Sequence, residues 1–161
     1  MKSLKMLAVV CFMLATGTLF ANGDVDYGMF KDVPAGIGNK SVVGVRFGLP
    51  CAISSGMVEG AELSLCYSAT QKVYGFKYAL LGVNAGKELE GAALAFVNVT
   101  EGELDGVQIG LYNHSGKDGV QIGLINVCDN DAEFQFGLLN FNPRGWLPVM
   151  PFVNFSSDIA D

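Results

Sequence analysis

The sequence predicts an all-β fold built from a short repeat, and we expect an antiparallel meander that closes into an eight-stranded barrel. Three observations lead to this prediction. A segment of about eight residues recurs along the chain at intervals of 13 to 16 residues. Apolar and polar residues alternate within each copy, which is the period of a strand and not of a helix. The connectors between copies are short and rich in glycine, asparagine, aspartate and serine, which is typical of tight turns.

The length and charge of the chain exclude several classes of protein. The chain has 161 residues, which suits one domain. Ten lysines and arginines against sixteen acidic residues give a net charge of −6. This acidity argues against a nucleic-acid-binding protein, which needs a basic surface. Half of the residues are hydrophobic and only 16% are charged, so the chain is not a disordered acidic segment.

The first residues are those of a secretory signal peptide. Lys2 and Lys5 precede an uncharged apolar run over residues 6–20, and Ala21 offers a small residue before the predicted cut. This run is shorter than the roughly 20 residues that a spanning helix needs. We therefore predict a signal peptide over 1–21, a leader strand or arm over 22–41, the β-repeat domain over 42–155 and a tail over 156–161.

The repeat has three clear copies, at residues 106–113, 119–126 and 134–140. Weaker copies bring the number to eight, at residues 44–51, 60–67, 75–82, 91–98 and 148–155. The residues that define the repeat are Gly106, Gln108, Gly110, Leu111, Asn113, Gly119, Gln121, Gly123, Leu124, Asn126, Gln135, Gly137, Leu138 and Asn140. In this alignment the asparagine position of the first three copies holds Cys51, Tyr67 and Gly82.

Each copy has an apolar face, as in Val107, Ile109 and Leu111, and a face of polar and small residues. The polar column begins with Arg46, Glu62 and Lys77 and continues into the glutamines. A barrel removes unpaired strand edges. With the apolar face toward lipid, the alternating charges pair inside, and the small residues relieve crowding there.

A β-solenoid and a soluble barrel or open sheet are the alternatives to the lipid-facing barrel. A solenoid needs a second side to cover its apolar core. The connectors at residues 114–118 and 129–133 contain no large apolar residue for that purpose. The connectors therefore favour the meander. Replacing Ile109 by aspartate should then block membrane assembly of a lipid-facing barrel, or collapse a soluble fold in which the apolar face is the core.

The three clear copies, followed by residues 142–155, resemble a family of bacterial surface-repeat proteins. Members of that family carry tandem Gly-x-Gln-x-Gly-Leu-x-Asn units behind a signal peptide. The resemblance covers roughly residues 91–155. It implies an exported, envelope-associated protein of uncharacterised role, and it assigns no catalytic residue.

The remaining candidate residues favour structural roles. Cys51 and Cys66 are the more plausible disulfide pair in an oxidising compartment, and free thiols fit equally well. The asparagines that end the strands are expected to close turns through their own side chains, and the glutamines to form hydrogen bonds inside the fold or at its surface. His114 beside Ser115 lacks partners for a catalytic triad. Trp146 suits a membrane–water boundary or packing at a chain end.

Two acidic runs, at residues 101–105 and 129–133, lack the spacing of an EF-hand, and we expect both to be solvated loops. The sequence as a whole predicts a non-enzymatic, exported envelope protein with a structural or interaction role. We expect it at the outer membrane or cell surface, with a lipid bilayer as partner and with no metal or cofactor. The alternative is a soluble periplasmic or secreted β domain that binds a ligand or partner. The sequence identifies no protein or glycan partner.

Overall fold

Each turn of the chain lies in register on the turn before it, so the protein is a parallel β-solenoid. The computed structural model describes residues 24–28 and 39–157. The predicted signal peptide lies outside these residues. The strands of the described part are β1 (Asp24–Gly28), β2 (Val42–Gly48), β3 (Cys51–Ser64), β4 (Tyr67–Ala79), β5 (Val83–Gly86), β6 (Glu88–Leu94), β7 (Val97–Ile109), β8 (Tyr112–Lys117), β9 (Val120–Ile122), β10 (Ile125–Cys128), β11 (Phe134–Phe141) and β12 (Val149–Phe155).

One coil consists of two strand sides joined by two corners. In the first coil, β2 forms the first side, and the chain bends at Leu49 and Pro50. Residues 51–54, at the start of β3, form the second side, and a register shift between Ser54 and Met57 marks the second corner. The rest of β3 is the first side of the next coil and pairs in parallel with β2.

The leader segment contributes a strand of its own. β1 pairs in parallel with β2, with Asp24 opposite Gly44 and Gly28 opposite Gly48. Its sequence Val-Asp-Tyr-Gly follows the Val-Arg-Phe-Gly of β2 position by position. β1 is therefore a copy of the repeat that the sequence alignment missed.

The last strand, β12, runs in the opposite direction to its neighbour β11. β12 pairs with β11 in antiparallel orientation, unlike the other strand pairs of the described part. The prediction that residues 148–155 form an eighth copy is therefore wrong: Asn154 lies opposite Gln135 and not beside Asn140. The ring of Trp146 stacks on Phe155, with ring centroids 5.9 Å apart. This antiparallel cap covers the strand edge that a parallel stack leaves unpaired.

The all-β, repeat-built fold is confirmed, but the antiparallel meander and the closed eight-stranded barrel are wrong. A solenoid needs apolar residues on its second side only if its whole core is apolar. The apolar part of this core is one column, with Val42, Val58, Val73 and Leu104 all buried. The inward residues of the second side are mostly small or polar, and they bond to the coils above and below. A connector without large apolar residues is therefore compatible with the fold.

A column of glycines bends the first side of the first six coils. Gly91 has a φ of 126°, a conformation that side chains other than glycine rarely adopt. A Cβ atom at this position would also overlap the carbonyl oxygen of Gly75 on the preceding coil. The repeat therefore needs glycine here for two independent reasons.

We expect Gly91→Ala to lower the free energy of unfolding by about 2–4 kcal/mol, because the strain and the overlap both act against the folded state. Urea denaturation measures this loss. The control is Ala92→Gly, one residue later on the outer face, where we expect a loss of at most about 1 kcal/mol. Equal losses in the two variants would contradict the assignment of Gly91 to a strained position.

Candidate functional site

An asparagine ladder runs through the interior along the solenoid axis. The Nδ2 atom of each asparagine donates to the Oδ1 atom of the next over 2.8–3.0 Å. The second amide hydrogen goes to a backbone carbonyl, as from Asn98 to Ile109 over 2.9 Å. The ladder consists of Asn84, Asn98, Asn113, Asn126 and Asn140. Asn98, Asn113, Asn126 and Asn140 were predicted to close turns, which is wrong, since their buried side chains bond to neighbouring coils. Asn154, for which the same was predicted, is also buried and donates to the carbonyl of Leu147 over 2.9 Å.

The structure also corrects the start of this column. Ala52, Ser68 and Asn84 occupy it in the first three coils, and not Cys51, Tyr67 and Gly82. The corners of those coils are longer by one or two residues, which shifts the frame. Matching Val83-Asn84-Ala85 to Val97-Asn98-Val99 would have found the first ladder residue.

The small residues of the repeat make room for the asparagines. At Gly123 a Cβ atom would lie 2.6 Å from the Nδ2 atom of Asn113 and 3.1 Å from the Oδ1 atom of Asn126. The glycine and the asparagine of the repeat therefore depend on each other: because glycine has no side chain, the asparagine amide fits beside it. This explains why both recur in the three clear copies.

A glutamine ladder runs beside the asparagines. Gln121 donates to the Oε1 atom of Gln108 over 3.1 Å, and Gln135 donates to that of Gln121 over 2.8 Å. Each glutamine also donates to a backbone carbonyl, at 3.0–3.1 Å. All three side chains are fully buried. The predicted hydrogen-bonding role of this column is confirmed, and it lies in the interior.

A column of alternating charges continues the glutamine position toward the N-terminus. Arg46 lies 3.5 Å from Asp26 and 3.8 Å from Glu62, and Lys77 lies 3.9 Å from Glu62. The Glu62 carboxylate also accepts hydrogen bonds from the hydroxyls of Ser68 and Thr70. The ion pairs between Arg46, Glu62 and Lys77 agree with the prediction that these charges pair inside the fold. Asp26 was not predicted to belong to this column, because β1 was not recognised as a copy of the repeat.

Burial lowers the pKa of Lys77 to about 8 from the usual 10.5, although the Glu62 carboxylate acts to raise it. Between pH 8 and 10.5 the unfolded chain therefore binds more protons at this residue than the folded chain does. The contribution of Lys77 to the free energy of unfolding rises with pH in this window.

We expect the wild type to gain up to about 3 kcal/mol relative to Lys77→Met as the pH rises from 8 to 10.5. Urea denaturation of both proteins at pH 7, 8, 9 and 10.5 tests this, and the Lys77→Met protein is the reference for every other titrating group. A constant difference between the two proteins across this range would show that the lysine is not desolvated as described.

Because the polar columns face inward, strand alternation turns the apolar columns outward. From the third coil on, five outward columns are free of aspartate, glutamate, lysine and arginine; we call them together the apolar surface. Its corner column, the leucine corner, consists of Leu80, Phe96, Leu111, Leu124 and Leu138. These corner side chains are 48–58% exposed.

Two columns on each side flank the leucine corner and complete the apolar surface. On the first strand side they are Phe76, Ala92, Val107, Val120 and Phe134, and Tyr78, Leu94, Ile109, Ile122 and Phe136. On the second strand side they are Val83, Val97, Tyr112, Ile125 and Leu139, and Ala85, Val99, His114, Val127 and Phe141. None of these residues is buried. The apolar surface therefore bends around the corner and covers two sides of the solenoid.

The charged residues lie at the other corner of the coil. In the fourth coil, the five apolar outward residues are followed by Glu101, Glu103 and Asp105. Lys117 lies 3.3 Å from Glu103 and thereby bridges two coils. The solenoid is therefore amphipathic around its long axis, with one apolar corner and one charged corner.

The structure does not assemble a catalytic or metal site from the remaining candidates. His114 faces outward, 3.1 Å from Asp129, while the next residue, Ser115, is buried. Asp131 accepts hydrogen bonds from Asn142 and Ser156, so this acid is part of the C-terminal cap. Among the described residues, no three histidine, cysteine, aspartate or glutamate side chains are placed to hold a metal ion.

Cys51 and Cys66 lie on neighbouring coils, because Cys51 is the register partner of Tyr67. The structure holds both as free thiols, and the disulfide between them stays a prediction. Cys128 is also free, and its side chain is buried.

The fold and the apolar surface define a β-solenoid with an uncharged, two-sided outer face. Comparisons with protein-family models, with curated proteins and with solved structures give no match to this chain. In the described part, no helix has the length and apolar character needed to span a membrane.

Proposed function

We propose that this chain is a non-enzymatic, exported protein of the cell envelope that acts through its apolar surface. The observation that carries this proposal is the absence of charged residues from five adjacent outward columns. Soluble monomers rarely expose continuous apolar patches larger than a few hundred Å². At ordinary strand spacings these columns cover roughly 800 Å². A surface of this size and composition is suited to binding.

The rest of the molecule supports an interaction role over an enzymatic one. The amides of the repeat, as in Asn113 and Gln121, bond to each other in the interior. They hold the coils in register and are not available to a substrate. The solenoid therefore acts as a rigid support that presents the outer columns. The net charge of the full chain, −6, does not favour a nucleic-acid partner.

Export to the envelope is supported by the predicted signal peptide over residues 1–21 and by the resemblance to bacterial surface-repeat proteins. The proposed location is the outer membrane or the cell surface, with a lipid bilayer as the partner. The alternative is a soluble periplasmic or secreted domain. The same apolar surface would then bind a ligand or a partner protein.

Cell fractionation with mass measurement of the N-terminus tests this proposal. We expect a chain that lacks residues 1–21, stays with the envelope after a wash in 1 M salt and is released by detergent. Recovery of the processed chain from the periplasm or the medium would favour the soluble alternative. Recovery of the unprocessed chain from the cytoplasm would overturn the proposal.

A further inference from the structure

We infer that the apolar surface enters the hydrocarbon region of one leaflet of a lipid bilayer, with the leucine corner deepest. This inference rests on the proposed function, because it names the partner of the same surface. The solenoid would lie along the membrane without crossing it. Its charged corner would stay in water.

The shape of the apolar surface favours lipid over a second copy of the chain. The surface bends around the leucine corner, and each of its two sides covers roughly 400 Å² at ordinary strand spacings. A second solenoid packed flat against one side would cover only half of the roughly 800 Å² per partner that stable protein interfaces bury. Lipid chains are fluid and can cover both sides and the corner between them.

The distribution of charge matches a boundary between hydrocarbon and water. In the fourth coil, the outward residues change from Val99, the last apolar one, to Glu101, Glu103 and Asp105. A corner that sinks about 5–10 Å, the usual depth of interfacial elements, would leave these carboxylates hydrated. Because the charged corner is acidic, attraction to anionic lipid would add nothing, and we expect zwitterionic lipid to suffice.

A groove on the apolar surface provides room for a hydrocarbon chain. It has a volume of about 350 Å³ and runs between Tyr78, Leu94 and Ile109 on one side and Leu80, Phe96 and Leu111 on the other. Because neighbouring coils supply equivalent residues, the groove follows the solenoid axis. An open, uncharged groove of this form suits an extended acyl chain and not a polar head group.

Trp146 provides a reporter at the end of the same surface. It is the one tryptophan of the sequence and is 62% exposed. Its ring stacks on Phe155, which is the register partner of Phe134, a member of the apolar surface. We expect its emission to shift to shorter wavelength when the protein binds lipid, and to be quenched by bromine atoms on the acyl chains.

The experiment is co-flotation of the purified exported chain with vesicles of phosphatidylcholine, at 0.1 and 1 M salt. We expect the wild type to float equally at both salt concentrations. In the test variant, Leu111→Asp is combined with Leu124→Asp, and we expect the partition coefficient to fall about tenfold or more for each leucine. The control is Lys87→Asp, an exposed site away from the apolar surface, where one substitution changes the net charge by the same amount.

A second pair of substitutions, Leu111→Gln with Leu124→Gln, separates lost apolar contact from charge repulsion and should also lower the partition coefficient. Urea denaturation checks that all variants fold. The inference is overturned if the wild type does not float, or if it and the double leucine variants float equally.

Light scattering on the same samples separates this inference from the proposed function. A dimer that the double leucine substitutions dissociate, together with no flotation, would identify a second copy as the occupant. The lipid inference would then fail, while the interaction role of the apolar surface would remain. Recovery of unprocessed chain from the cytoplasm would overturn the proposed function itself.

Discussion

Replacing Glu62 by glutamine should lower the free energy of unfolding by about 3–5 kcal/mol, because it leaves buried cations without their shared counter-charge. Glu62 is fully buried between Arg46 and Lys77, within 4 Å of both. An uncompensated ion in a protein interior is costly, whatever the net value of the intact pair. Chemical denaturation at pH 7 measures the loss.

Two further variants of this chain serve as controls for the Glu62→Gln measurement. Glu101→Gln removes one negative charge from an exposed position and should change stability by at most about 0.5 kcal/mol. Glu62→Met combined with Lys77→Met removes Glu62 together with one of its two cations, while Arg46 keeps Asp26 at 3.5 Å. This variant should recover part of the loss, because apolar residues of similar volume replace a buried ion pair at little cost. A loss in Glu62→Gln no larger than that in Glu101→Gln would contradict the charge column.

Replacing Asn113 by alanine should cost about 3 kcal/mol, because it interrupts the asparagine ladder in the middle. Asn113 accepts from Asn98 over 2.9 Å and donates to Asn126 over 2.9 Å and to the carbonyl of Ile122 over 2.9 Å. The substitution leaves buried donors and acceptors unpaired on both neighbouring coils. It also leaves a small cavity.

The matched control for the ladder is Asn130→Ala, on the connector after β10. Its side chain makes no ladder hydrogen bond, and we expect a change of at most about 0.5 kcal/mol. Thermal or urea denaturation of both variants tests the assignment. If the two substitutions had the same effect, the buried amides could not be what holds the coils together.

Alternation within each copy was enough to predict which residues share a face. It placed Gln108 and Lys77 on the face opposite Ile109, and the structure keeps this division. Alternation is the same in parallel and antiparallel strands, however, and it could not decide between a coil and a hairpin. Identical residues at the same position of successive copies favour a coil, because a buried amide that stacks on its own copy satisfies both of its hydrogen-bonding groups. Asn98, Asn113 and Asn126 do so here.

The expected effect of Ile109→Asp also changes with the fold. Ile109 is 42% exposed on the outer face of the solenoid, so an aspartate there remains in contact with water. The substitution tests contact with a partner and does not test the core. The sequence could not show which face is outward, because apolar and polar residues alternate with the same period whether the apolar face points outward or inward.

The strands missed or misplaced by sequence analysis lie at the two ends. β1 follows the pattern of β2 for only five residues, and residues 29–41 separate the two strands along the sequence. β12 has an asparagine at a repeat-like interval, yet it runs in the opposite direction. Strand direction depends on the chain path through the preceding loop, here around Gly145 and Trp146, and a residue pattern does not encode it.

Because the coils stack in parallel, the area of the apolar surface is proportional to the number of coils. Val107 and Val120 are register partners, so deleting residues 107–119 would join Gly106 to Val120 without changing the frame. The product would be one coil shorter, by about 4.8 Å. Because β12 runs antiparallel to β11, it does not continue the parallel stack, and the number of copies in the sequence sets the length of the stack. Gain or loss of whole copies would then change the affinity of the apolar surface for its partner in steps of one coil, while the contacts made by each remaining coil stay the same.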